Sequence, residues 1–152
     1  MACISITNPR FRTKSQICAD VSSVLGASLH YGTKFAVLAE VVWVWSEFNG
    51  KYVGCKYWSL AAWKVRESDQ KWIHEHVVPK SVIIERLMAL SAPTFQAVND
   101  VLQRFCIGVV VTHEEDQRLN KLGLRAKMPE GWDGEYPWAR YKAANIEVIA
   151  VN

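Results

Sequence analysis

Two short segments of this sequence concentrate side chains that can transfer protons or bind metal ions. The first, IHEHVVP, places His74, Glu75 and His76 in succession ahead of a proline. The second, VVVTHEED, brings His113 and Asp116 directly after a β-branched run. A neutral imidazole accepts a proton near neutral pH, and hard divalent cations prefer carboxylate oxygens as ligands. The residue types therefore fit metal-assisted hydrolysis with a histidine as general base.

The spacing within each segment indicates how these side chains are arranged. Successive residues of a strand point to opposite faces, so His74 and His76 would share one face and Glu75 would lie on the other. A turn at the end of that strand would bring Glu75 toward the site of His76. On a helix, His113 and Asp116 are three positions apart and share a face.

The residue order in both segments resembles the motif of HNH (His-Me finger) endonucleases. EHVVPKSVI, residues 75–83, is similar to the first half, in which an acidic residue, a histidine, two aliphatic residues and a proline follow one another. VVVTHEEDQRL, residues 109–119, resembles the second half, a strand leading into a helix. The sequence departs from the family pattern in lacking its middle asparagine, since Asn99 lies in a predicted helix, and in having Asp116 where His or Asn is more usual.

The resemblance implies a metal-dependent endonuclease that hydrolyses DNA phosphodiester bonds. In that family role His76 would take a proton from the attacking water, Glu75 and Asp116 would bind the metal ion, and His113 would be a further ligand. Carboxylate ligands favour Mg²⁺ or Mn²⁺, whereas ligation by His113 would suit Zn²⁺ or Ni²⁺. HNH-like proteins of this size often occur in phages and other mobile elements.

Basic residues near the two segments are candidates for binding DNA phosphates. They are Lys80, Arg118, Lys121 and Arg125. A solvated helix face is the alternative, because Glu114 and Glu115 reduce the local positive charge. The aromatic stretch WDGEYPWARY, residues 132–141, could stack nucleic-acid bases, although large aromatic side chains more often pack in a core.

Two other functions compete with the nuclease hypothesis. The missing family asparagine and the long insertion between the motif halves favour a catalytically degenerate HNH-like scaffold that binds a protein or nucleic acid as an inhibitor or adaptor. A structural zinc site is a third possibility, although its spacing matches no established zinc pattern. Its ligands would be His74, His76 and His113 with Cys106 or Asp116.

The composition indicates one globular domain spanning residues 1–152. Half of the residues are hydrophobic (50%) and 22% are charged, which suits a folded chain of this length. The net charge of +3 permits binding to a polyanion without requiring it. The apolar run of residues 35–45 is too short to span a bilayer, no secretory signal is apparent, and the four cysteines form no CxxC pair. We therefore expect a cytoplasmic protein without a membrane partner.

The elements that would position the two segments predict an α+β fold. We expect a mostly helical domain with a two-stranded β element followed by a helix, and a helical insertion between the strands. A capping box of Thr112 and Glu115 marks the start of that helix, which should end near Gly123. Four further helices are predicted: one at 33–48 with Thr33 as its N-cap, one that begins after Ser59, one at 80–90 and one at 93–104. The two strands are predicted at 71–78 and 106–112. A basic arm is expected at 1–20 and an aromatic arm at 128–152.

Overall fold

The fold combines helices with one mixed sheet, and a computed structural model describes it for residues 12–151. Within this range about half of the residues are helical, in agreement with the predicted α+β class. The helices are α1 (Lys14–Gly26), α2 (Tyr31–Ser46), α3 (Leu60–Lys64), α4 (Lys80–Met88), α5 (Phe95–Phe105), α6 (His113–Lys121) and α7 (Ala139–Ala143). The strands are β1 (Tyr57–Ser59), β2 (Trp72–His76), β3 (Gly108–Thr112) and β4 (Val148–Ala150).

The sheet has the strand order β2-β3-β1-β4. Strands β2 and β3 are antiparallel, and His76 pairs with Gly108 at one end of their register. Strand β1 lies parallel to β3 and antiparallel to β4. The prediction of only two strands was therefore wrong. Strands β1 and β4 are three residues each, too short for an alternating pattern to be recognised in the sequence.

Three apolar clusters form the core of the described residues. Helices α1, α2, α4 and α5 enclose the largest, which includes Leu38, Val42 and Leu102. On one face of the sheet, Val109 and Val111 of β3 pack with side chains from α6 and α7. Val110, which lies between them, belongs to a third cluster with Trp58, so neighbouring residues of β3 face different layers, as the period of a strand requires. The strand pair β2 and β3 is consequently covered on both faces.

The helix boundaries follow their capping side chains. The predicted capping box is confirmed, because Thr112 Oγ1 accepts from the backbone N–H of Glu115 at 3.2 Å and the Glu115 carboxylate accepts from that of Thr112 at 3.0 Å. Ser59 is confirmed as the N-cap of α3, although that helix is shorter than predicted. Thr33 as an N-cap was wrong. The cap of α2 is His30, whose Nδ1 accepts from the Gly32 backbone N–H at 3.1 Å.

Both predicted arms contain regular structure where the structure describes them. Helix α1 begins at Lys14, inside the predicted basic arm, where Thr13 and Gln16 form a capping box. Residues 1–11 lie outside the described range. The predicted aromatic arm contributes α7 and strand β4 to the domain. No helix within residues 12–151 has the length and apolar character needed to cross a membrane.

Candidate functional site

Strand β2 separates the side chains of the HEH segment onto two faces of the sheet. His74 and His76 point toward α2 and are only 5% and 4% exposed. Glu75 points to the opposite face, toward α6 and α7. The strand remains regular through His76, so no turn brings Glu75 to the side of His76. The expected convergence of these two side chains is not found, because their alternation extends to the end of the strand.

His76 is held by side chains of α2. Its Nε2 lies 2.9 Å from Ser46 Oγ, and the Trp43 ring packs edge-on at a centroid distance of 4.2 Å. Burial, and after it the neighbouring His74, lower the pKa of His76 to about 3. The imidazole is therefore neutral at physiological pH, and its surroundings are protein side chains in place of bulk water. These contacts give His76 a packing role between the sheet and α2.

His74 occupies the same face with a different set of contacts. Its Nδ1 donates to the Lys51 carbonyl oxygen at 2.6 Å, and burial lowers the pKa of the ring. Its Nε2 is buried and has no hydrogen-bond partner among the described residues. A Cβ atom at Gly108 would come within 2.5 Å of that nitrogen, so only glycine leaves room for the ring. The absence of a side chain at Gly108 thus permits His74 to pack across β3.

The Glu75 carboxylate is engaged by two buried partners from α7. Arg140 Nη2 donates to Glu75 Oε2 at 2.5 Å, and the Tyr141 hydroxyl donates to the same oxygen at 2.9 Å. Burial raises the pKa of Glu75, while the positive charge of Arg140 and both hydrogen bonds oppose that rise. Glu75 is thus part of an internal ion pair through its Oε2 atom.

Arg140 connects several segments of this region through its side chain, and the sequence motif did not identify it. Its side chain is fully buried. Besides Glu75, the guanidinium donates to backbone carbonyl oxygens of two separate segments, those of Val77, His76, Leu124 and Arg125. A buried charge needs such compensation. One signal in the sequence could have pointed to Arg140. Glu75 lies within an apolar strand, and a buried carboxylate requires a cation, which an aromatic segment such as PWARY can supply.

The predicted ligands on α6 lie on the Glu75 side of the sheet but are engaged locally. Asp116 is half-buried and accepts from Asn120 Nδ2 at 3.4 Å, and its charge contributes to raising the pKa of Glu75. His113 is exposed, with Nε2 2.9 Å from Gln117 Nε2. The structure therefore brings Asp116 near Glu75 and leaves His76 on the other face of the sheet.

The described residues contain no cluster of metal-binding side chains. Within residues 12–151, no group of three or more His, Cys, Asp or Glu side chains is arranged to hold a metal ion. This applies to the carboxylate set and to the proposed zinc set alike. Binding of Mg²⁺ or Mn²⁺ by Glu75 and Asp116 stays a prediction.

The predicted phosphate-binding residues do not form one surface patch with the HEH segment. Arg118 Nη1 donates to the carbonyl oxygens of Ala144 and Asn145 at 3.3 Å each, at the end of α7. Lys121 and Arg125 are exposed, and Lys80 is half-buried at the first position of α4. Arg118 thus has a structural partner, whereas Lys121 and Arg125 remain accessible to a polyanion.

A solvent-facing groove lies beside α7, and we term it the aromatic groove. It has a volume of about 370 Å³. The Trp138 ring forms its centre, packed edge-on against Tyr57 at 5.2 Å and against Tyr141 at 5.9 Å. Tyr136 is 48% exposed, and Lys142 is exposed. The residues that line it are Tyr57, Tyr136, Trp138, Tyr141, Lys142, Ile146, Val148 and Ala150.

The groove combines the features that bind unpaired bases. Aromatic faces stack on bases irrespective of sequence, and a neighbouring ammonium neutralises the phosphate backbone. A second cation lies at its edge, since Lys56 Nζ is 5.2 Å from the centre of the Tyr57 ring. Aromatic packing and surface exposure coexist here, because Trp138 is anchored from below while Tyr136 projects outward.

No protein-family model, curated protein or solved structure matches this chain. A function for this chain can therefore be proposed only from the arrangement of its own side chains.

Proposed function

We propose that this protein is a nucleic-acid-binding module on an HNH-like scaffold in which the EHVVP segment has a structural role. The aromatic groove carries the proposal, because exposed Tyr136 and Lys142 adjoin the packed rings of Tyr57 and Trp138. The burial of His76 supports it further, since a general base must reach the proton that it abstracts. The net charge of +3 is compatible with a polyanionic ligand.

Binding to labelled single-stranded and duplex DNA, followed by fluorescence anisotropy at several salt concentrations, tests this proposal. Tyr136→Ala should weaken single-strand binding by about 5- to 100-fold, the range that loss of one base-stacking contact produces. Lys142→Gln should lower the affinity and reduce the salt dependence by about 0.7 in log–log slope, as expected for one phosphate contact.

Two exposed residues outside the aromatic groove provide matched controls. Tyr31 is 60% exposed and Lys64 is exposed, and neither lines the groove. Tyr31→Ala and Lys64→Gln should leave the affinity unchanged. The proposal fails if the wild-type protein binds no DNA at low salt, or if Tyr136→Ala binds as tightly as Tyr31→Ala.

A metal-dependent endonuclease is the second candidate, and the order of elements favours it. The antiparallel pair β2 and β3 is followed directly by α6, with Glu75 and Asp116 on the same side of the sheet. This succession is the one that the HNH resemblance implies. The candidate requires nicking of supercoiled plasmid that depends on Mg²⁺, Mn²⁺, Zn²⁺ or Ni²⁺.

The plasmid assay separates the two candidates. A nuclease should lose its activity in Asp116→Asn and in the presence of a chelator. Persistent nicking by purified His76→Gln would show that His76 takes no part in the chemistry. Binding without nicking in all four metal ions would reject the nuclease and leave the binding module.

A further inference from the structure

A second cavity lies beside the aromatic groove, and we term it the lysine cavity. It has a volume of about 280 Å³ and is formed by α1, the end of α2, the loop that precedes β1, and the segment from α5 to β3. The buried residues Cys55, Cys106 and Gly108 are among those that line it.

Two ammonium groups line the lysine cavity, and no described lining residue is acidic. Lys14 Nζ lies 4.8 Å from the centre of the Trp45 ring, which holds the flexible side chain at the cavity by a cation–π contact. Lys56 Nζ lies over the Tyr57 ring. In the part of the chain that the structure describes, neither lysine forms a salt bridge. The lining therefore carries the positive charge of two lysines and no acidic side chain.

The loop along the cavity is fixed by two glycines. Gly50 and Gly54 have φ angles of 124° and 91°, which disfavour other residues. A Cβ atom at Gly50 would overlap the Val53 carbonyl oxygen, and one at Gly54 would overlap that of Asn49. At these two positions the loop therefore contributes only backbone atoms to the rim of the lysine cavity.

Neutral hydrogen-bonding groups complete the lining. They are the side chains of Ser46, Asn49 and Gln103. The buried His74 Nε2, which has no partner among the described residues, packs against Gly108, one of the lining residues. Cations together with neutral donors and no carboxylate form a lining suited to an oxyanion.

Tyr57 connects the two cavities, since it lines both the lysine cavity and the aromatic groove. We propose that the lysine cavity binds the terminal phosphate of a nucleic-acid strand whose bases stack in the aromatic groove. The inference rests on the proposed nucleic-acid binding. A terminal phosphate carries a charge of about −1.5 to −2 near neutral pH, which two lysines complement better than the single charge of an internal phosphodiester.

Three oligonucleotides of one sequence, with an internal fluorophore, test this inference by anisotropy. One carries a 5′-phosphate, one a 3′-phosphate and one hydroxyl groups at both ends. We expect one of the phosphorylated strands to bind about tenfold more tightly than the unphosphorylated strand, as expected for added charge-assisted hydrogen bonds. Which strand gains affinity identifies the end that enters the cavity.

The gain should disappear in Lys14→Gln and Lys56→Gln and persist in Lys64→Gln. Tyr136→Ala should weaken all three oligonucleotides by the same factor and leave their ratio intact, because it alters stacking and leaves the phosphate contact in place. Thermal unfolding of each variant, compared with the wild type, confirms that the fold is retained.

The possible failures can be distinguished. Equal affinity for the three strands would overturn the terminal-phosphate inference while nucleic-acid binding stands. A gain that persists in both lysine variants would also overturn it. Absence of binding to every oligonucleotide would reject the proposed function and this inference together.

Discussion

The guanidinium of Arg140 and the carboxylate of Glu75 form a 2.5 Å ion pair between α7 and β2. Arg140 is fully buried, and the same guanidinium donates to backbone carbonyl oxygens near the end of β2 and after α6. One side chain thereby fixes the EHVVP segment to the C-terminal part of the domain. Glu75, the acidic residue ahead of HVVP, is consequently a structural anchor in this chain.

Arg140→Ala should be strongly destabilising. Truncation leaves the Glu75 carboxylate and several carbonyl oxygens without their donor, and removal of one partner from a buried ion pair typically lowers the free energy of unfolding by about 3–5 kcal/mol. Chemical denaturation measures the change. Arg125→Ala is the matched control, since the Arg125 side chain is exposed and its loss should alter stability by about 0.5 kcal/mol or less. A loss below about 1 kcal/mol in Arg140→Ala would contradict the assigned role.

Gly108→Ala should destabilise the pairing of β2 and β3. The added methyl group would approach His74 Nε2 to 2.5 Å and Cε1 to 2.6 Å, and overpacking of this kind lowers stability by about 1–3 kcal/mol. Gly26→Ala is the control, because nothing lies within 4 Å of its added Cβ. Thermal unfolding of both variants tests the prediction. The double variant His74→Ala/Gly108→Ala should show smaller-than-additive loss, whereas additive losses would refute the steric account.

The buried histidines should make stability depend on pH. The pKa of His76 is about 3 in the folded chain and about 6.5 in the unfolded chain, so between these values the unfolded state binds the additional proton. Its stabilising contribution is complete above about pH 6.5 and is lost as the pH falls toward 3, with a slope of up to about 1.4 kcal/mol per pH unit. His74, with a lowered pKa, acts in the same direction, whereas Glu75, with a raised pKa, acts in the opposite direction.

Urea denaturation at pH 7 and pH 5 isolates the contribution of His76. The wild-type protein should lose more stability between these pH values than His76→Gln does, because glutamine does not titrate. Parallel pH profiles for the wild type and His76→Gln would show that His76 is not buried in its neutral form.

The helix caps provide a test of the observed boundaries. Thr112→Ala removes the side-chain acceptor for the Glu115 backbone N–H and should lower the free energy of unfolding by about 1 kcal/mol. Thr33 lies within α2 and is exposed, so Thr33→Ala should be neutral or slightly stabilising through its higher helix propensity. Denaturation of both variants measures the difference. An equal loss in the two variants would place the start of α2 at Thr33.

Local signals in the sequence predicted the elements that bear the motif, but contacts between distant segments determined the site. The capping box at Thr112 identified α6, and the β-branched run before it identified β3, because both signals depend on neighbouring residues. The face on which His76 lies was also predictable from strand alternation. Its burial was not, since that depends on Trp43 and Ser46 of a helix that precedes β2 by many residues.

Strands β1 and β4 and the role of Arg140 were not predicted for the same reason, because they depend on contacts between distant segments. Strands β1 and β4 become strands by pairing with each other and with β3, and three residues carry too little periodicity to reveal this. Arg140 belongs to a segment whose composition suggested an aromatic arm. Its role depends on Glu75, which comes from another strand, so only the folded arrangement identifies the pair.

The parallel alignment of β1 with β3 has a consequence for how the domain forms. Trp58 and Val110 are paired across a connection that includes α3, β2, α4 and α5, so chain closure over this distance precedes any gain from the pairing. Contacts of large sequence separation slow folding, whereas helices gain their contacts locally. We therefore expect the central alignment of the sheet to form late, with the rate-limiting barrier set by entropy of the intervening chain.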